Sequence, residues 1–324
     1  MDPRDLLSRL SADAPLSGSA LAGALGVTRA AVWKQVEALR ALGAPIVAEG
    51  GVGYRLAWPV DWLDGERIAA ELDPAQRARV GNIIVDWQID STSSELLRRA
   101  ASDTSDLIVC CAETQTAGRG RRGRDWRSPL GGNLYFSMLK RFDHGMGALT
   151  GLSLAAGTAV IAALNDCGVT GAGLKWPNDV MAGGRKLAGV LIELGGEFLG
   201  PCYAVIGIGV NLRLPADVVA AINQPVTDLS TLTGADPPSR NRLAGRLLLR
   251  LIETLDRFAE HGFAAIAADY AQADTLRGKS VRVSAADGAR DGVADGVDSR
   301  GALRVRHGDA VATYDSAEVT VRAR

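Results

Sequence analysis

The sequence predicts an α+β protein in three parts: an amino-terminal winged helix-turn-helix over residues 1–62, a central mixed α/β domain over 63–273, and a small β-barrel over 274–324. Three observations carry that expectation. Two apolar-periodic helices around Gly26-Val27 are followed by a hairpin pattern, and the middle of the chain alternates apolar strand-like runs with helical ones. Beyond Leu276 come short valine-rich alternating segments, VRVS, LRVRH and AEVTV, separated by glycine and aspartate.

A chain of 324 residues is long enough for several cores, and 47% hydrophobic with 23% charged is an ordinary globular balance. No apolar run reaches the roughly 18 residues of a membrane span and no signal peptide opens the chain, so a cytoplasmic protein with no membrane partner is expected. Cys110, Cys111, Cys167 and Cys202 lack metal-ligand spacing and sit in apolar runs, as buried reduced thiols do. His144, His261 and His307 are scattered, which argues against a histidine-dependent hydrolase.

Taking the elements in order, Asp5 to Leu10 reads as a first helix, and Ser17 to Leu25 as a second with Ser17 as its cap. Thr28 caps a third, TRAAVWKQVEALRALG, whose Ala31, Val32, Val36, Leu39 and Leu42 recur at helical spacing. Ile46 to Leu56 then forms two strands turning at Gly50-Gly51, a wing. Such a unit either lays its third helix in a DNA major groove or serves as a protein-interaction module. For DNA, the second helix would offer Ser17 and Gly18, the third Thr28, Arg29, Ala30, Trp33 and Lys34, and the wing Arg55. Residues 1–62 carry six Lys+Arg against six Asp+Glu, a net of zero, so nonspecific DNA affinity is weak. Even so, Arg29, Lys34, Arg40 and Arg55 all fall on the third helix or the wing.

Trp62-Leu63-Asp64 reads as a linker, followed by a helix from Gly65 to Leu72. Ile83 to Ile89 is a strand that runs into Asp90-Ser91-Thr92-Ser93-Ser94 and a helix from Glu95 to Ala101. Hydroxyls at a strand-to-helix junction either cap the helix or hold a small polar head group. LIVCCAE (107–113) and NLYFSML (133–139) read as buried strands around a basic loop. Between Arg119 and Arg127 that loop sets five arginines and one aspartate among glycines. Guanidinium forks and exposed backbone N–H groups together suit an anion, although an anonymous run of this kind is often a solvated face. Gly118, Gly120 and Gly123 satisfy G-x-G-x-x-G, but Ser128-Pro129 and Gly131-Gly132 lead into a strand rather than a helix, which excludes a dinucleotide fingerprint. No lysine followed by Ser or Thr closes the loop, so it is not a Walker A motif either.

Leu149 to Asn165 is a long apolar core helix. In Lys175-Trp176-Pro177-Asn178-Asp179, proline fixes the backbone beside an Asn-Asp pair that is either a plain turn or, near a triphosphate, a place for Mg2+ at Asp179 and phosphate at Lys175. A Gly183-Gly184 hairpin delivers Lys186 to an apolar strand ending at Glu193, as an edge charge or as a ligand group. Tyr203 to Leu212 is a further strand, Arg240 to Glu260 a long amphipathic helix, and Phe263 to Gln272 a shorter one.

GRGRRGR, KWPNDV (175–180) and RKLAGVLIE (185–193), in this order and spacing, resemble the biotin protein ligases, and the resemblance spans nearly the whole chain, strongest from Ser91 to Asn211. It implies a class II synthetase-like central domain, an SH3-like carboxy-terminal barrel, and biotin and ATP as substrates with Mg2+. Biotin would be held by Ser91, Thr92, Ser93, Gln115, Arg119, Gly120, Arg121, Lys186 and Gly189, with Ser93 standing where asparagine is expected. ATP would be held by Arg119, Arg121, Arg122, Trp126, Lys175, Asn178, Asp179 and Asn211, and catalysis would rest on Lys186 with Arg119 and Arg121. The resemblance also implies a lysine acceptor on the biotin carboxyl carrier domain of acetyl-CoA carboxylase, biotin operon DNA, and a homodimer when adenylate is bound. Three readings remain open at this point: ligase and repressor, ligase with residues 1–62 as a structural module, and a nonenzymatic winged-helix sensor, with lipoate ligation as a related chemical alternative. Paired phosphate machinery at the arginine loop and Lys186 disfavours the last.

Overall fold

The computed structural model describes residues 2–285, 288–315 and 320–323. The amino-terminal unit consists of α1 (Pro3–Leu7), α2 (Gly18–Leu25), α3 (Arg29–Ala41), β1 (Ile46–Glu49) and β2 (Gly53–Leu56). The first helix is earlier and shorter than Asp5 to Leu10, because Asp2 caps it and Pro3 sits in its first turn, while the Ser8 N–H closes back onto Arg4 and Leu6. Ser17 and Thr28 accept the Ala20 and Ala31 N–H groups at 3.1 and 3.2 Å, and Gly26, at φ 66°, ends α2. Leu6, Leu7, Leu21, Val32, Val36 and Leu39 form the core of this unit. Leu130 of the central domain belongs to the same core, is fully buried, and donates its N–H to the Leu42 carbonyl at 2.9 Å.

The segment read as a linker is held at both ends. The buried Glu113 accepts the Leu63 N–H at 2.6 Å and the Arg240 guanidinium at 2.7 Å, and Arg240 also donates to the Asp61 carbonyl. Asn241 donates to the Trp62 carbonyl and accepts from the Asp64 N–H. A segment whose backbone groups are satisfied this fully is structure rather than tether.

After α4 (Gly65–Ala69) and α5 (Pro74–Arg79), β3 (Val80–Ile89) opens a seven-stranded sheet with α6 (Thr92–Arg99), β4 (Leu107–Gln115), β5 (Leu134–Phe142), α7 (Leu152–Asp166), β6 (Ala172–Lys175), β7 (Asp179–Ala182), β8 (Arg185–Gly196) and β9 (Cys202–Val210). Strand order is β3-β4-β5-β9-β8-β7-β6, with β3 and β4 parallel and the other pairs antiparallel. Two expected helices change length: the one after the linker ends at Ala69, and α6 starts at Thr92, capped by Ser91, rather than at Glu95. The period-two rule sorts β4 cleanly. Leu107, Val109 and Cys111 join the large core built with α7 and α10 (Arg240–His261, which follows α8, Ala216–Ala220, and α9, Leu229–Leu232), whereas Ile108 and Cys110 pack with Leu96 and Ala100 of α6 and just beyond it. Burial pushes the Cys110 thiol up to about 12 and raises the fully buried Cys111 thiol well above its usual range, so neither is a nucleophile.

Past α11 (Ala267–Ala273), the strands β10 (Ser280–Ala285), β11 (Gly288–Val297), β12 (Leu303–His307), β13 (Ala310–Tyr314) and β14 (Thr320–Ala323) form an antiparallel five-stranded sheet in the order β13-β12-β11-β10-β14. Of the AEVTV segment, residues 317–319 lie outside the described residues. Val281, Val283, Leu303 and Val305 join the central core, and the buried Trp176 donates its indole N–H to the Gly301 carbonyl at 3.0 Å. No described helix is long and apolar enough to cross a membrane.

Candidate active site

One cleft forms where the strand-to-helix junction after β3, the basic loop after β4, and the strands β8 and β9 meet. Its inner end is uncharged. Thr92 and Ser93 lie in the first turn of α6 and bond the Ser137 hydroxyl at 2.7 and 3.0 Å, while the Thr92 N–H and hydroxyl both approach the Gln115 Oε1. Ser91 caps α6 through the Ser94 N–H at 3.4 Å and lines the cleft as well, so capping and lining are not alternatives here. Gly207 opposes this group: a Cβ there would lie 2.6 Å from the Ser93 hydroxyl. The Gln115 amide is oriented by the Ser128 hydroxyl, to which its Nε2 donates at 3.2 Å.

The outer end is cationic. The loop folds back on itself, with the Gly120 N–H on the Arg124 carbonyl at 2.7 Å and Arg122 in the left-handed region at φ 58°. Arg119, Gly120 and Arg121 all line the cleft. Arg121 is half-buried and reaches the Asn178 side chain at 3.3 Å; burial, with Arg122 beside it, lowers its hold on its proton. A cation placed where its own charge is penalised favours an anion beside it. Arg119 meets Glu193 at 2.8 Å.

Lys186 is 9% exposed, and its ammonium meets Asp179 at 2.6 Å and lies 5.4 Å from the centre of the Trp126 indole. Its backbone is fixed by the loop after α8, donating to the Pro225 carbonyl and accepting from Thr227. Glycine at 209 makes room for the Trp126 ring, from which a Cβ would lie 2.4 Å, and at 189 a Cβ would lie 3.1 Å from the Lys186 Cε. The cleft continues into a wider groove of about 840 Å3, lined among others by Arg122, Lys175, Asn178 and Asp179.

Of the residues singled out from sequence, only Asn211 among the nucleotide group is absent from both spaces. It is buried, with its amide donating to the Thr227 carbonyl at 3.1 Å, which ties it to the loop behind Lys186. Reading overlooked Ser137, Gln224 and Glu193. Ser137 sits inside an apolar strand pattern that gave no signal, and the loop carrying Gln224 has no motif. In the amino-terminal unit, Thr28, Arg29, Ala30, Trp33 and Lys34 are all exposed along α3. Ser17 caps α2 by accepting the Ala20 N–H, a Cβ at Gly18 would lie 3.7 Å from Arg29, and Arg55 pairs with Glu49 at 2.5 Å.

The model of the biotin/lipoate A/B protein ligase family matches residues 85–211, and a helix-turn-helix domain model matches 4–55. The chain is 35% identical over 321 residues to the bifunctional ligase/repressor BirA of Salmonella typhimurium, covering 99% of this chain and 98% of that protein. To the biotin–[acetyl-CoA-carboxylase] ligase of Mycobacterium tuberculosis it is 38% identical over 223 residues, 67% of this chain and 80% of that one. The solved biotin protein ligase from Aquifex aeolicus, in complex with biotin and ATP, matches with a TM-score of 0.63 at 28% identity, over 75% of this chain and 100% of that chain. With that relation extending across its helix-turn-helix as well as its catalytic fold, the chain belongs to the biotin protein ligase family, among the bifunctional ligase/repressors.

Proposed function

We propose that the chain joins biotin to ATP as biotinyl-5'-adenylate, passes the biotinyl group to a lysine of the biotin carboxyl carrier domain of acetyl-CoA carboxylase, and, adenylate-bound and dimeric, represses the biotin operon. The observation that carries the reading is one cleft with an uncharged hydrogen-bonding end at Thr92, Ser93, Gln115 and Ser137 and a cationic end at Arg119, Arg121 and Lys186. A ureido ring and valeryl chain ending in a carboxylate have that same polarity.

In the first step the biotin carboxylate oxygen attacks the α-phosphorus, the bond to the bridging oxygen of the β-phosphate breaks, and pyrophosphate leaves. Two anions must approach, so Lys186 and Arg121 offset their repulsion and stabilise the charge that builds on the transferring phosphoryl group. Holding the reactants in line supplies about 7 to 11 kcal/mol of a bimolecular barrier. For Lys186 to serve, a phosphate or carboxylate oxygen takes the place that Asp179 occupies at 2.6 Å. The indole of Trp126 and the loop from Gly118 to Arg124 shield the mixed anhydride from water. In the second step the acceptor amine attacks the acyl carbon, the bond to the phosphate oxygen breaks, AMP departs, and the amine loses its proton. No enzyme nucleophile is needed.

Asp179, with Asn178 beside it, would be a carboxylate for Mg2+ once Lys186 turns to the substrate anions, and no group of three acidic, His or Cys side chains gathers among the described residues. Such a sparse donor set fits an ion carried in on the triphosphate, which Asp179 and Asn178 would help hold and which would supply neutralisation of phosphate charge. Arg29, Ala30, Trp33 and Lys34 on the open face of α3 would enter a major groove, and a two-fold dimer would read a palindrome. The cytoplasm supplies ATP, carrier protein and DNA together.

The test is to mix the protein with biotin and MgATP, identify the adenylate by mass spectrometry, and measure binding to biotin operon DNA with and without it. Adenylate with strengthened DNA binding is the expected outcome. Adenylate alone would reduce residues 1–62 to a structural role, lipoyl-adenylate formed in preference would move the chain to lipoate chemistry, and no adenylate at all would remove the ligase reading.

A further inference from the structure

Of the six tryptophans, five are packed. Trp176 is buried, Trp62 packs against Trp87 with ring centres 5.3 Å apart, Arg213 lies over Trp58, Lys186 over Trp126, and Arg4 over Trp87. Trp33 is the exception, 58% exposed on the third helix of the amino-terminal unit. An indole in water is unfavourable, and nothing in the architecture of the helix requires one, since Val32, Val36 and Leu39 already supply its buried face.

The surroundings of Trp33 define what would cover it. Ala30, one turn earlier, is exposed on the same face, so the two make a short apolar strip. Arg29 and Lys34 flank the strip and make no ion pair among the described residues, whereas Glu37, the nearest acid on the helix, is tied to Arg40 at 3.0 Å. An apolar strip between two available cations matches a surface that is anionic at its rims and apolar in its middle. In a DNA major groove the phosphates form the rims, and the C5-methyl of thymine is the apolar group that the base edges present. The geometry points to Trp33 as a specificity-determining residue that reads thymine methyl groups, with its indole N–H left to donate to an acceptor on a base edge. This inference rests on the DNA-binding reading given above and adds the base class that α3 selects.

The test uses the full chain, loaded with adenylate in place from biotin and MgATP, and a pool of random-sequence duplexes from which bound DNA is recovered and sequenced. Wild type should enrich thymine at a fixed position in each half-site. Replacing that thymine by deoxyuridine, which removes only the methyl, should weaken binding by about three- to tenfold. Trp33→Ala should bind thymine and deoxyuridine duplexes alike, while Trp33→Phe should keep much of the discrimination because it keeps an apolar ring. If a sequence is enriched but wild type ignores the methyl, or Trp33→Ala still senses it, the role of Trp33 is overturned and the DNA reading stands. If nothing is enriched, DNA binding by α3 falls together with this inference, and the strip becomes a protein contact.

Discussion

Lys186 lies between one carboxylate and one indole, and the ligase reading proposed above asks it to offset phosphate charge there. Lys186→Met keeps an unbranched chain against Trp126 but removes the charge, leaving Asp179 facing the incoming phosphates without compensation. Adenylate formation should drop by roughly a hundred- to a thousandfold, the usual effect of removing one group that stabilises developing charge. Pyrophosphate release at saturating biotin and ATP measures it, and a loss under tenfold would move the catalytic burden to Arg119 and Arg121. Lys186 was singled out by the family resemblance, because a lysine opening an apolar strand reads equally well as an edge charge. Ser137, fully buried on β5 and bonded to both Thr92 and Ser93, was not legible, since a serine inside an apolar run carries no sign of which hydroxyls will face it across the sheet. Asn211 shows the same limit from the other side: nothing in its sequence neighbourhood says that its amide bonds the Thr227 carbonyl.

At the scale of elements, contacts distant in sequence decide what local patterns leave open. Trp62-Leu63-Asp64 has the look of a tether, and only the fold brings Arg240, Asn241 and Glu113 around it. Glu113 and Arg240 are each 4% exposed, so Glu113→Ala strands a guanidinium in the interior and takes the acceptor from the Leu63 N–H. That change should cost about 3 to 5 kcal/mol in denaturant unfolding. Glu113→Leu combined with Arg240→Met should recover much of the loss, and a double variant no better than the single one would show that the linker contacts dominate the pair. Helix α5, by contrast, was overlooked although Asp73, Pro74 and Gln76 write a capping box in plain order. A second joint lies between α7 and α10, where Asp166 takes Arg250 and Arg246, each at 2.8 Å. The Arg250 hydrogen bond, opposed by burial and reinforced by Arg246, holds the Asp166 carboxyl below its usual 3.8. A depressed folded value means stability that is present above pH 3.8 and lost as pH falls through the folded value. The Tm difference between wild type and Asp166→Asn should therefore be constant at neutral pH and close under acid, and a gap independent of pH would mean that the charge contributes nothing.

Across the whole molecule the three parts were legible from their periodicities, but their joining was not. Leu130, four residues past Trp126 of the cleft, completes the core of the winged helix, and the carboxy-terminal sheet shares the central core. Shared cores fix domains relative to one another, so two copies would present their third helices at a set spacing instead of sampling many. In the dimer proposed above, net charge would govern how the two copies meet DNA. Residues 1–62 are neutral overall, and of the four cations on the third helix and wing, Arg40 and Arg55 are already paired with Glu37 and Glu49. Only Arg29 and Lys34 are left to displace counterions, which gives four phosphate contacts for two copies. At about 0.9 per contact, the slope of log K against log salt should lie near −3 to −4, against roughly −7 if the paired arginines also engaged. Operator binding measured across a salt series decides between them. A shallow slope would mean that sequence reading, with Trp33 at its centre, supplies most of the affinity, whereas the steep one would require both wing and helix ion pairs to break on the DNA.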